Sequence, residues 1–150
     1  FFKVTNKIFD YRGETIADTS RSTITRESRL EKGVEKQVEI FGEALRNSYQ
    51  EGPEDTRHIK KWLANMFGDY YTRKGLSVAH REMITFCFLA AQGGCEPQLK
   101  AHVEGNLNVG NSKQYLINIA SQCVPYIGYP RTLNALRCIQ EGYTAWEAKQ

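Results

Sequence analysis

From Glu27 onward, apolar residues return at helical spacing. Leu30, Val34, Val38, Phe41 and Leu45 recur at steps of four and three, which marks one apolar stripe along an α-helix. The segment "EGPED" (Glu51 to Asp55) ends that helix, and Ile59, Leu63, Phe67 and Tyr70 predict a second stripe. "KGLS" (Lys74 to Ser77) is a break followed by an N-cap. The Ser77 hydroxyl can accept from a backbone N–H that the first turn leaves unpaired. The run that follows, "VAHREMITFCFLAA", is apolar nearly all round after Glu82, which predicts a central helix covered on every side. Pro97 suits the first turn of the next helix, whose stripe is Leu99, Val103 and Leu107. Gly110 reads as a C-terminal cap and Asn111 or Ser112 as the N-cap of a fifth helix carrying Leu116, Ile119, Ala120 and Cys123. "PYIGYP" predicts a bend before a last helix with Leu136, Ile139, Tyr143 and Trp146 on one side.

No run of alternating polar and apolar residues stands out, so the expected class is all-α, with about six helices in one domain over residues 26–150. Residues 1–25 are polar and rich in Thr, Ser and Arg; they read as an N-terminal arm without clear helical periodicity. Its Phe1, Phe2 and Val4 form a short apolar start that either docks on a neighbour or frays.

Composition narrows the partners. A chain of 150 residues fits one domain with a sizeable core. The net charge of +3 is spread along the chain without a basic block, which argues against nucleic acid. Nothing reaches the roughly 18 consecutive apolar residues of a membrane span, and the first residues do not read as a signal peptide. Cys87, Cys95, Cys123 and Cys138 match no zinc spacing and contain no C-x-x-C. The expectation is four thiols in a reducing, cytoplasmic setting, most of them packing the core, with no metal.

The candidate chemistry starts at "GGCEPQLKAHVEGNLNVG" (Gly93 to Gly110). Cys95, Gln98 and His102 stand at i, i+3 and i+7, on one side of a helix that begins near Cys95. His102 serves either as a functional imidazole or as a partner for a carbonyl. Cys95 is either a reactive thiol favoured by a helix N-terminus or a space filler. Glu82 enters the most apolar helix, where a carboxylate turns to solvent, pairs with a cation, or is held inside for proton transfer. Tyr126 and Tyr129 flank the bend. Arg131 sits in a first helical turn, where the helix dipole disfavours a cation, so a carboxylate-binding fork is one reading and a surface charge the other. Asn134, one turn on, offers an amide contact or satisfies a helix end. His58 and His80 read as exposed.

Three segments in order, "LSVAHREMITFCFLAA", "GGCEPQLKAHVEGNLNVG" and "PYIGYPRTLNALRCIQE", resemble the carboxymuconolactone decarboxylase family of the alkylhydroperoxidase D-like superfamily. The resemblance implies an all-helical fold that assembles into trimers or hexamers. It also implies cofactor-independent decarboxylation of a small carboxylated lactone, in aromatic-compound catabolism, at a pocket often near a subunit interface. On that reading His102 delivers a proton or contacts an oxyanion, Glu82 orients or relays to it, and Arg131 helps to anchor a carboxylate. Gln98, Tyr126, Tyr129 and Asn134 join the substrate-binding set. The redox branch of the superfamily carries a glutamate, then C-x-x-C, then a histidine four residues later. Here the pattern reads Cys95, Glu96, Pro97, Gln98, with Gln98 where the second cysteine would stand. A thiol-dependent peroxidase working through Cys95 is the alternative; it needs Cys87 or Cys123 brought near, because a dithiol cycle requires a second thiol. A third reading is a non-catalytic or differently specialised oligomeric relative.

Overall fold

A computed structural model describes residues 2–13 and 21–150. Its described residues form seven α-helices and two short 3-10 turns, with no strand. The helices are α1 (Phe2–Arg12), α2 (Arg29–Phe41), α3 (Arg57–Tyr71), α4 (Val78–Gln92), α5 (Glu96–Asn108), α6 (Lys113–Ile127) and α7 (Tyr129–Glu147). The turns, Glu43–Leu45 and Ser48–Gln50, lie between α2 and α3.

Helices α4 to α7 pack around one core. Phe86 of α4, Leu99 and Val103 of α5, Leu116 of α6 and Ile139 of α7 meet there, each almost wholly buried. Burying such a side chain contributes about 1.5–3 kcal/mol, so this cluster is the main stabilising mass. A second cluster of Ile40, Phe67 and Tyr71 joins α2 to α3, and α2 also packs on α5.

The α2–α3 contact depends on two glycines. A Cβ on Gly33 would lie 1.8 Å from the Ala64 carbonyl oxygen, and one on Gly68 would lie 2.1 Å from that of Arg29. The two backbones therefore touch, and α3 turns its small residues Ala64 and Gly68, with Phe67 and Tyr71, inward.

That close crossing explains a departure from the sequence pattern. Ile59, Leu63 and Tyr70, expected to face the core, are 58%, 39% and 57% exposed, because the narrow side of α3 meets α2 and its broad apolar side is left outward. Likewise α4 is not covered all round: Glu82, Phe86 and Ala90 are buried, but Phe88 is exposed.

The segment read as an aperiodic arm is helical over α1, whose Val4, Ile8 and Tyr11 are exposed. Their i, i+4, i+7 spacing is a helical stripe that a short polar sequence hides. Phe1 and residues 14–20 lie outside the described residues. At the other departures, α2 stops at Phe41 because Gly42 takes a φ of +94°. Helix α6 runs through Pro125 to Ile127, and the bend falls at Gly128 alone. Pro125 deprives the carbonyl of Ser121 of its helical partner, and Ser121 is exposed to water.

The predicted caps are present. Ser77 accepts from the His80 N–H and Ser112 from the Tyr115 N–H, while Pro97 occupies the first turn of α5.

Candidate functional site

Two helices bring the central pair together. Glu82, in the first half of α4, is fully buried. His102, midway along α5, places Nδ1 2.8 Å from Glu82 Oε2. The side chain of His102 keeps 16% of its surface accessible, whereas that of Glu82 keeps none. Nδ1 is thus engaged by the carboxylate, and Nε2 is the ring nitrogen left for another partner. Glu82 Oε1 is buried without a hydrogen-bond partner.

Neighbouring groups fix this geometry. The Phe41 ring, at the end of α2, stands edge-on to the imidazole with centroids 5.1 Å apart. Gly105 clears the space beside the carboxylate: a Cβ there would lie 2.8 Å from Glu82 Oε2, Ile40 Cγ2 and Phe41 Cε1. Asn106, also fully buried, donates through Nδ2 to the backbone carbonyls of Glu82 (3.1 Å) and His102 (2.6 Å). Its Oδ1 accepts from Asn111 Nδ2 at 2.8 Å, which also donates to the Ala79 carbonyl. An amide network therefore ties α4 and α5 together at the acid–base pair.

His102 lines a cavity of about 450 Å³, within the range of small-molecule sites. Much of the wall is apolar, from Leu63, Met66 and Tyr70 of α3, Leu76 of the following loop, and Ile84 and Phe88 of α4. The polar lining is Arg81, His102 and a bonded hydroxyl pair, Tyr71 Oη to Thr85 Oγ1 at 2.6 Å. Burial, and then the Glu82 carboxylate, push the Tyr71 phenol above its ordinary pKa, so it stays a neutral hydroxyl.

The remaining sequence candidates lie elsewhere. Cys95 is the N-cap residue of α5, and its thiol donates to the Leu89 carbonyl at 3.4 Å. It lines a narrow recess with Arg131 and Asn134, where Asn134 Nδ2 donates to Glu96 Oε1 at 3.3 Å. None of the three lines the large cavity. Gln98 is exposed, as are Tyr126 and Tyr129, at 89% and 68%. His58 and His80 are exposed as expected.

All four cysteines are free. Burial first, then the neighbouring Cys123, pushes the Cys87 thiol up to about 12. No other thiol lines the Cys95 recess, and no cluster of His, Cys, Asp and Glu suited to a metal occurs among the described residues.

Of the candidates read from the sequence, His102 and Glu82 come together in the fold; Arg81 at the cavity, and Asn106 and Phe41 beside the pair, were not among them. A signal for Arg81 was present, since Arg81, Ile84, Thr85 and Phe88 share one face of α4 at i, i+3, i+4 and i+7. Asn106 gave no comparable signal, because an asparagine inside a helix reads as a surface residue until its carbonyl partners are seen.

The sequence profile of the carboxymuconolactone decarboxylase family matches residues 58–141, a span that contains the whole acid–base pair and most of the cavity wall. The chain is also similar to a 4-carboxymuconolactone decarboxylase of Acinetobacter baylyi, 27% identical over 117 residues, covering 77% of this chain and 87% of that protein.

Proposed function

Because the chain belongs to the carboxymuconolactone decarboxylase family, we propose that it is a cofactor-independent decarboxylase acting on a small carboxylated lactone. The observation that carries this reading is the His102–Glu82 hydrogen bond at the wall of a small-molecule cavity. The related Acinetobacter protein, a 4-carboxymuconolactone decarboxylase by name, suggests the type of substrate.

The chemistry asks little of a cofactor. In such a lactone the carboxylate leaves from a carbon conjugated, through a ring double bond, to the lactone carbonyl. The C–C bond to the carboxyl group breaks and CO2 departs. Its electron pair moves through the ring to the carbonyl oxygen, giving an enolate. A proton then returns to the ring carbon. The protein must hold the substrate, stabilise the oxyanion and deliver that proton. His102 Nε2 supplies the proton or contacts the oxyanion. Glu82 fixes the ring through Nδ1 and stabilises the imidazolium while it carries charge.

The test is turnover of 4-carboxymuconolactone by purified protein. His102→Ala and Glu82→Gln should each lower kcat by at least about 100-fold, the scale of a general acid–base contribution. Unchanged turnover in both variants would falsify the assignment.

The same reading includes self-association into a trimer or hexamer. Tyr70 of α3 and Phe88 of α4 are exposed where they line the cavity, and Ile59 and Trp62 of α3 are exposed as well; aromatic residues of this kind are enriched in subunit interfaces. Light scattering at micromolar concentration should give a mass of three or six chains; a monomer rejects this part.

A further inference from the structure

We propose that Arg81 is the anion anchor of the large cavity, so that its ligands are small apolar-bodied carboxylates held by Arg81 with the reacting carbon toward His102. This deepens the decarboxylase reading and rests on it for the role of His102.

Arg81 lacks a counter-ion among the described residues. It lines the same cavity as His102, yet it makes no ion pair with any carboxylate among the described residues. The only hydrogen bond of its side chain within them runs from Nη2 to the Arg73 carbonyl, at 2.7 Å. Nε is buried and has no partner. A guanidinium presents donors in a planar fork and does not lose its charge in proteins. One neutral carbonyl leaves most of that capacity unused.

The surroundings sharpen the point. Burial, and then the like charge of Arg73, push Arg81 below its ordinary pKa. The local structure therefore disfavours the cation and offers no counter-ion. Leu76, Ile84 and Phe88 face the cavity beside it. A partly desolvated guanidinium next to apolar walls binds a carboxylate more strongly than it would in water, because fewer water dipoles compete. An incoming carboxylate supplies the missing charge, takes up donors now unused, and leaves its apolar body against the α3 wall.

Arg131, the anchor expected from sequence, does not have this setting. It is exposed and stands over Gly93, in the recess with Cys95 and Asn134, and does not line the large cavity. The two arginines thus separate cleanly in an experiment.

The probes are benzoate and its neutral isostere benzamide, titrated calorimetrically into the purified full chain. Wild type should bind benzoate at least about tenfold more tightly than benzamide, and Arg81→Gln should abolish that preference. Arg81→Lys should restore part of it, since a point charge replaces the fork. Arg131→Gln should keep all of it. Equal binding of the two probes by wild type, binding of neither, or a benzoate preference retained in a folded Arg81→Gln protein overturns the proposal. His102→Ala should retain the preference, because anchoring and proton transfer are separate. Lactone turnover is not read in this assay, so its absence rejects the decarboxylase reading while leaving the anchor to be judged by benzoate alone.

Discussion

Asn106 shows how a single side chain can position a site without touching a substrate. Its amide satisfies the carbonyls of both Glu82 and His102, and it is fully buried. Truncation to alanine removes these two bonds and the acceptor for Asn111 Nδ2, each worth about 0.5–1.5 kcal/mol net. Asn106→Ala should therefore lower stability by about 2 kcal/mol in urea denaturation, and lower kcat more than it raises KM, because the pair loses its register. The Cys87 thiol gives a second prediction. Its pKa in the fold lies at about 12, above the ordinary value near 8.5, so the fold favours the neutral thiol. The stability this contributes is complete below about pH 8.5, and is lost as the pH climbs towards 12. Tyr71, also shifted upward, acts in the same direction. Between pH 8 and pH 11 the wild-type Tm should fall, and Cys87→Ala should fall by less; parallel curves would remove Cys87 from the explanation. Both predictions concern residues whose importance was hidden in the sequence. A polar amide and one thiol among four carry no periodic signal, whereas Glu82 stood out at the entrance of an apolar helix and His102 through the family resemblance.

Among elements, the crossing of α2 and α3 is the least forgiving contact. Gly33→Ala would drive a methyl group into the Ala64 carbonyl oxygen, 1.8 Å away, and backbone on both sides prevents local escape. Overpacking costs about 1–3 kcal/mol where side chains can give way. Here the loss should exceed about 3 kcal/mol, measured by the shift in denaturation midpoint at constant m-value. Gly105→Ala meets side-chain atoms instead, at 2.8 Å, and should fall inside that lower range while displacing Glu82. The helices themselves were legible: stripes, caps and breaks located α3 to α7 closely. Which face of α3 turned inward was not. Periodicity identifies a stripe, but a pair of glycines that lets backbones meet can outweigh a broader apolar surface, and only the crossing geometry reveals that.

Across the molecule, the site divides between two packed units. Helices α4 and α5 hold Glu82, His102 and their amide supports, within the larger core. Helix α3 and the loop after it supply most of the facing apolar wall through Leu63, Met66, Tyr70 and Leu76. The sequence anticipated the first half, since the family-like segments begin at Leu76. It pooled into one site residues that the fold distributes over two cavities and an exposed bend. Helical spacing put Cys95 and Gln98 on one side with His102, but neither lines the cavity that His102 does: Cys95 caps α5 and lines the narrow recess, and Gln98 is exposed.

The two units differ in how freely their side chains can be exchanged. Leu63, Met66 and Tyr70 line the cavity without bonding to His102 or Glu82, so substitutions there should change its outline and leave the His102–Glu82 hydrogen bond in place. Glu82, Gly105 and Asn106 have no such latitude: Glu82 is bonded to His102, a Cβ on Gly105 would meet Glu82, Ile40 and Phe41, and Asn106 bonds the Glu82 and His102 carbonyls. Cavity shape and pair geometry are thus separable by substitution, the first along α3 and the second along α4 and α5.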